Sequence, residues 1–388
     1  MWFGLGLALM CAAAAYLNMF VAVGLGLAAL AMGATGLLLR RKAFALRVVT
    51  VVCLGMVFGL LLYGVYYNAS YRVLEEVDGN VAEISATVTD YSFETEYGSA
   101  VQVGLIIDNQ KFRAQLYLSN HHELEPGDQI EGRFLLKYTG GVDRTYHFGR
   151  GILLLGYQRQ DVQVNKADSV PVTLIPSVIR KWVTQTIDRY FTADTAFFAK
   201  ALLLGDRSDV DYETSTNFKV TGISHIIAVS GMHLSILASV VYILAGKSRG
   251  LMALFGIPTV LLFAAVAGFT PSITRACIMQ ILLLIAMVFD RDYDPLTSLA
   301  TAAIVMLLEN PMVITSVSFQ LSFGCMAGIF LFSSRVYQHF AAFSVWMDAK
   351  RKTVKWYVRG WLCGSVAITL GAMAFTTPLC AVYFGCFS

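Results

Sequence analysis

The stretch Gly222-Ile-Ser-His-Ile-Ile-Ala-Val-Ser-Gly-Met-His233 opens a long apolar run with two histidines and two serines, groups that lipid excludes unless protein or water meets them. Ser224, Ala228, Gly231, Ser235 and Ala238 recur at helical spacing, and small residues so placed let a second transmembrane backbone come close. Gly222, His225, Ser230 and His233 fall mostly on the other side. Neither side suits lipid, so the spacing predicts a helix inside a bundle. Two readings of its polar side stay open: histidines hydrogen-bonded in a core, or a polar path that includes His225, Ser230 and His233.

The chain around it fits a bundle. Of 388 residues 56% are hydrophobic and the mean hydropathy is +0.62, too apolar for an ordinary soluble protein. The formal net charge of +3 says little, because topology follows the distribution of Lys and Arg among the loops. Residues 1–39 carry no charge. That run is too long for a signal-peptide core and lacks its basic leader, so two short spans or a hairpin are expected near 2–17 and 20–39. A third span, Val48 to Tyr67, follows Arg40, Arg41, Lys42 and Arg47, a cluster that belongs in the cytoplasm.

The region beyond that span must then lie outside. From Tyr71 to about Val164 apolar and polar residues alternate, with turn signals at Tyr97-Gly98, Asp108-Asn109, Pro126-Gly-Asp128 and Gly140-Gly141. Five or six short strands are expected, enough for a small barrel. The segment Pro176 to Phe191 spaces Trp, Tyr and basic residues amphipathically, as an interfacial helix at the outer leaflet would. Short helices are expected at Ala196 to Leu204 and Tyr212 to Val220. Spans follow near 223–246, 250–268, 272–289, 296–309, 312–333 and 360–384, and alternation puts Lys247, Arg249, Arg291 and the stretch Arg335 to Arg359 in the cytoplasm.

Chemistry-bearing patterns are few. There is no P-loop, no GxSxG elbow and no HExxH, so no catalytic residue is expected. His225 and His233 stand eight apart and cannot share a metal on one unbroken helix. The seven cysteines lie in or beside apolar segments without CxxC spacing; neither metal nor cofactor is expected, and a Cys380–Cys386 pairing stays open. Arg275 lies one turn into a span that begins at Pro271, with Thr270 before it. A charge at mid-bilayer costs on the order of 3 kcal/mol, so Arg275 either snorkels to the outer interface or faces an anion. Gln320 and Ser322 sit in a late apolar stretch, placed to hydrogen-bond between helices. Gly205-Asp206-Arg207 is either a turn shaped by an ion pair or a helix C-cap glycine with solvated charges.

The words themselves have a likeness. Leu203-Leu-Gly-Asp-Arg207, Phe218-Lys-Val-Thr-Gly-Ile-Ser-His225 and Ala228-Val-Ser-Gly-Met-His233 resemble the central signature of the ComEC family of competence proteins. Thr270-Pro-Ser-Ile-Thr-Arg-Ala276, Asp294-Pro-Leu296, Asn310-Pro311, Ser318-Phe-Gln-Leu-Ser-Phe323 and Thr376-Thr-Pro378 follow in the family's order. The resemblance is strong from about Asp194 onward. It makes Gly205, Asp206, Arg207, Gly222, Ser224, Gly231, Pro271, Gln320, Ser322 and Pro378 structural motif positions, and it makes the β region similar to an inserted OB-like domain. Phe93, Phe112, Arg113, Tyr117, Arg133 and Phe134 are then conceivable nucleic-acid contacts, or else barrel filling.

The expected fold is thus a polytopic α-helical membrane protein with an inserted small extracellular β-barrel, OB-like by resemblance. Its expected parts are 1–67 (transmembrane helices), 68–165 (barrel), 166–192 (interfacial helix) and 193–388 (channel domain). The family's metallo-β-lactamase-like word His-x-His-x-Asp-His is absent from the chain, so a truncated product without a nuclease step is expected. The resemblance implies a bacterial plasma-membrane channel for single-stranded DNA in natural transformation. It also implies membrane lipid, competence proteins delivering DNA outside and an ATP-driven protein inside as partners. The alternative is a polytopic transporter of a small solute with the β-domain as scaffold; a membrane hydrolase lacks a nucleophile and base.

Overall fold

The computed structural model describes residues 1–17, 19–38, 44–95, 98–107, 110–139, 147, 151–167, 169–205, 214, 231–246, 248–345 and 354–384. Five of its helices are long and apolar enough to cross a membrane. Helices α1 (Trp2–Tyr16), α2 (Met19–Leu38) and α3 (Phe44–Tyr66) begin the chain. Small residues decide how they meet. A β-carbon added at Gly6 would lie 2.1 Å from the Val52 carbonyl oxygen, and one at Gly55 2.3 Å from that of Phe3. Backbone therefore touches backbone between α1 and α3, the contact available where apolar side chains gain nothing by leaving lipid. Leu7, Met10 and Cys11 are fully buried in that contact.

Helix α3 does not stop at the end of its apolar run. A π-helical turn, Tyr67–Tyr71, continues it into α4 (Arg72–Val77), so the helix from Arg47 to Val77 has 31 residues. At ~1.5 Å per residue it outruns the ~30 Å apolar layer by about ten residues. Strands were expected from Tyr71 on, yet residues 71–77 are helical. The cause is local: Tyr71 and Leu74, both fully buried, stand three apart on one helical face, and Arg72 pairs with Glu76 at i,i+4.

The barrel hangs from that extension. The Gly79 N–H donates to the Leu136 carbonyl (2.9 Å) and the Tyr138 N–H to Asp78 Oδ1 (2.8 Å), while the Tyr71 ring packs 6.3 Å from that of Tyr138. Strands β1 (Val81–Val88), β3 (Gly98–Ile107), β4 (Gln110–Leu118), β6 (Ile152–Gln158) and β5 (Gln129–Tyr138) pair in that order, and β5 returns to β1. Only β4 with β6 is parallel within this ring. This is a closed five-stranded Greek-key barrel of the OB type; β2 (Phe93–Thr95) and β7 (Gln163–Asn165) extend its edges. Alternation makes the core: Val88, Val103, Leu116, Ile130 and Leu154 are buried, and Phe112 and Phe134 fill the interior with them.

After the barrel come α5 (Ile175–Tyr190), α6 (Ala193–Leu204), α7 (Gly231–Leu244), α8 (Arg249–Val266), α9 (Pro271–Val288) and α10 (Pro295–Glu309). Lys200 on α6 is buried against the Asp188 carboxylate of α5 (2.6 Å). Leu234, Val260, Ala264, Ala267, Ile273 and Cys277 form one core of the α7–α8–α9 bundle. Asp294 caps α10, accepting from the backbone N–H groups of Leu296 and Thr297; the Thr297 hydroxyl, which it also meets, holds its carboxyl below the usual range. Asn310 starts the next element the same way. Where a span was expected to run from 312, residues Pro311–Thr315 form a buried 3-10 turn, because Asn310 accepts from Met312 N–H and breaks the helix there.

Residues from Val317 belong to a second compact unit. It comprises α11 (Val317–Gly328), a π-helical turn (Ile329–Ser333), α12 (Ser334–Val345) and α13 (Val354–Phe384). Gly328 lets the Gly371 carbonyl approach to 2.2 Å of where a β-carbon would stand.

One carboxylate staples the barrel. Asp128, 2% exposed, accepts from the Glu125 N–H (2.9 Å), the Ala167 N–H (3.1 Å) and Lys166 Nζ (2.8 Å). It ties the β4–β5 loop to the exit from β7. Burial alone would raise its pKa, but the Lys166 ammonium and the two amides outweigh burial and hold it low. Asp128→Ala should cost on the order of 2 kcal/mol, measured by detergent-phase melting and by hydrogen exchange of the β1 and β5 amides. A depressed carboxylate stabilises fully above its unfolded pKa of about 3.9 and loses that effect as pH falls through the lower folded value. The gap between wild type and Asp128→Asn should therefore close below about pH 4.

Candidate polar path and barrel joint

Of the residues expected on a polar path, His225 and Ser230 lie outside the described residues, as do Asp206, Arg207, Gly222 and Ser224 and, apart from Thr214, the short helix expected at 212–220. Cys386 and the basic residues 40–42 lie outside them too. His233 and Arg275 are described, and both are half-buried. A β-carbon at Gly231 would sit 3.2 Å from that of Ala276. The first turn of α7, with His233, thus packs at the level of α9 that carries Arg275. The Arg275 guanidinium lies 3.9 Å from Met279 Sδ.

The packed face of α7 differs from the expected seam. Leu234 and Ala238 are buried and Gly231 is in contact, but Ser235 is exposed. Its hydroxyl donates to the Gly231 carbonyl (2.9 Å), and Ser239 repeats the bond to Ser235 (2.8 Å). Self-satisfied hydroxyls need no partner helix.

The α8–α9 turn is held closely. Gly268 N–H bonds the Ala265 carbonyl and Phe269 N–H that of Ala264, a Schellman ending that requires the positive φ of Gly268 (82°). Phe269 also has positive φ (47°), a geometry that costs a side-chain-bearing residue ~1–2 kcal/mol and persists only where neighbours impose it. Thr274 Oγ1 donates to the Phe269 carbonyl (3.1 Å), and Pro271 opens α9. Into this turn reaches Arg180 from α5. Its Nε donates to the Val266 carbonyl (2.6 Å) and its Nη1 to Asp90 Oδ2 (3.0 Å) in the loop after β1. Nearby, Ser177 Oγ donates to the Thr89 carbonyl (3.3 Å), and Lys181 sits 4.0 Å over the Tyr91 ring. Burial, then the carboxylates of Glu125 and Asp90, push the Tyr91 phenol up.

Gly205 ends α6 in the left-handed conformation (φ 72°), its N–H on the Ala201 carbonyl (3.1 Å). In the second unit, Gln320 Oε1 accepts from the Tyr383 hydroxyl (2.8 Å), joining α11 to α13; Ser322 is half-buried on α11 and Pro378 lies inside α13. On the barrel, Phe112 and Phe134 are interior, so neither presents a ring to a ligand. Arg133 and Phe93 are exposed, and Tyr117 stacks on Tyr157 with centroids 5.2 Å apart and Gln115 Nε2 on the Tyr117 hydroxyl. Tyr157, Arg180 and Asp90 carry no local sequence signal that singles them out. No group of three metal-ligating side chains exists among the described residues.

A membrane bundle with a closed barrel carried on one helix and fastened to another defines the class: a polytopic helical membrane protein with an inserted OB-type domain. Residues 202–388 match the model of the Competence family, described as competence protein. The chain is 30% identical over 159 residues to ComE operon protein 3 of Bacillus subtilis, covering 40% of this chain and 20% of that protein. It is 25% identical over 251 residues to Recombination protein 2 of Haemophilus influenzae, covering 62% and 30%. Residues 202–388 are thus similar to the Competence family, and the chain spans between a fifth and three tenths of the length of these two relatives. No solved structure matches it.

Gly231→Leu should loosen α7 from α9 and lower the detergent melting temperature, at a cost of about 1–3 kcal/mol for overpacking. Ser235→Ala, on the exposed face, should shift it little; equal shifts in the two variants would refute the α7–α9 contact.

Proposed function

We propose that this chain forms part of a channel that passes single-stranded DNA across the plasma membrane of a bacterial cell during natural transformation. The observation that carries the reading is the match of residues 202–388 to the competence protein family, with the family's words in order along the same stretch. A polyanion crosses lipid only along donors and cations that helices shield from the lipid. His233 and Arg275, at one level of α7 and α9, supply such groups, and His225 and Ser230 are assigned to the same path. On the barrel, the Tyr117–Tyr157 stack offers bases a π-face. Gln320 with Tyr383, Ser322, Pro378, Gly205 and Pro271 are assigned structural roles. Competence proteins that deliver DNA outside, an ATP-driven protein inside and membrane lipid are the partners in this reading.

We place the barrel on the outer side. Supporting this, the cluster Arg40, Arg41, Lys42 and Arg47 precedes α3, whose far end carries the barrel. Arg249, paired with Asp290, and Arg291 lie at the ends of α8 and α9 away from Val266, which meets Arg180. Both sets follow the positive-inside rule. Glu83→Cys, exposed on β1, should react with an impermeant maleimide on intact cells while Asp292→Cys should not; the reverse pattern overturns the orientation.

In a transformable host carrying the full-length protein, labelled single-stranded DNA should enter and small solutes should not compete. Arg275→Ala should cut uptake about tenfold at equal protein level, the equivalent of a ~1.4 kcal/mol contact, and Arg275→Lys should keep part of it. Normal uptake in the alanine variant would make Arg275 an interfacial anchor, and transport of solute in place of DNA would sink the channel reading.

A further inference from the structure

Arg180 joins three segments distant in sequence: its own helix α5, the barrel loop at Asp90 and the end of α8 at Val266. The Schellman ending of α8 satisfies the carbonyls of Phe263, Ala264 and Ala265 from within. The Val266 carbonyl is the one Arg180 takes. It sits at a helix C-terminus, where partial negative charge favours a cation, and the guanidinium meets it through Nε while turning Nη1 to Asp90. The third nitrogen, Nη2, lies against Gly268 so closely that a β-carbon there would stand 2.6 Å from it. A glycine at 268 thus serves both the turn and the guanidinium. Arg180 is about a quarter exposed, as is Asp90 (27% and 25% of their side chains), and the next residue of α5, Lys181, pairs with Glu125 at 3.7 Å. One face of α5 therefore seats on the loop 89–91, while Trp182, 65% exposed, points elsewhere.

We infer that Arg180 is a positioning residue: it clamps the α8–α9 turn to the barrel and so holds the outer end of α9, with Arg275, in fixed register with the barrel loop at Asp90. This rests on the channel reading for its meaning, not for its geometry. A planar fork that reaches two acceptors on different segments is a task for arginine; a lysine ammonium is a single point that reaches one of them well. The clamp also accounts for Phe269, whose unfavourable φ is imposed by the bonds on either side of it. A strand of nucleic acid that meets the barrel is delivered to the first turns of α9 at one distance and one angle.

Two readouts in the full-length protein test this. Phe269→Cys, at a half-exposed position (51%), reports the turn through its rate of reaction with an impermeant maleimide on intact cells. Arg180→Ala in that background should raise the rate several-fold and Arg180→Lys should raise it less, with Glu83→Cys labelling unchanged as a check on insertion. DNA uptake should fall in Arg180→Ala and also in Asp90→Ala, and the double variant should be no worse than the lower single. An Arg180 that met phosphate directly would behave otherwise, since removing Asp90 would then leave uptake unchanged or raise it. That result, or an unchanged Phe269→Cys rate in Arg180→Ala, overturns the clamp. If Arg180→Ala does not accumulate, Asp90→Asn, nearly isosteric, carries the same two readouts. Altered labelling in a protein that passes no DNA would leave the clamp standing and refute only the transport reading.

Discussion

The backbone contact between α1 and α3 is the constraint on which the rest of the first unit depends. In lipid, apolar side chains gain nothing by meeting one another, so association must come from close packing. At Gly6 and Gly55 only a hydrogen fits between the two chains, and any larger residue would push α3 outward. Because α3 continues through the π turn into α4, and the three-residue turn after α4 is bonded to β5 through Asp78 and Gly79, a displacement at this glycine contact would travel to the barrel. The barrel is thus placed by a packing event inside the membrane, several turns below it.

Above that foundation, two kinds of bond finish the assembly. Hydrogen bonds from Gly79 and Tyr138 dock the barrel on the helical extension of α3, and the Asp128 staple closes the loop between β4 and β5. Arg180 and the contacts of Ser177 and Lys181 then fasten the loop after β1 to α5 and α8. A domain suspended on one helix is free to swing; a domain held by a helix and by a second, distant joint is not. The polar groups of α7 and α9 consequently lie in a frame that includes the barrel.

Much of this was legible in the sequence, and the reasons differ by element. The helices announce themselves by apolar length, and the barrel by a period of two that its burial follows along β1, while β6 is buried without alternation from Ile152 to Gly156. Residues 71–77 depart from the strand expectation because Tyr71, Leu74 and Val77 follow a period of three at the edge of an alternating region. The words Asp294-Pro and Asn310-Pro resolve into helix starts, each an acceptor side chain followed by proline. Ser235 falls off the packed face because a stripe of small residues drifts around a helix, and Leu234, larger and adjacent, takes the contact. Arg180 was not legible at all. Its partners lie 90 residues before it and 86 after it, and no local pattern marks a side chain that bonds across such distances.

The π-helical turn at Tyr67–Tyr71 gives the architecture an angular setting. A π turn carries one residue more than the α-helical turn it replaces, and one residue in a helix is a rotation of about 100°. Everything beyond Tyr71 in that helix is therefore turned about the α3 axis by that amount, relative to an uninterrupted α-helix of the same sequence. Length variation in α3 acts on such a protein as a dial: losing one residue above the membrane would leave the barrel at nearly the same height but aimed at a different helix.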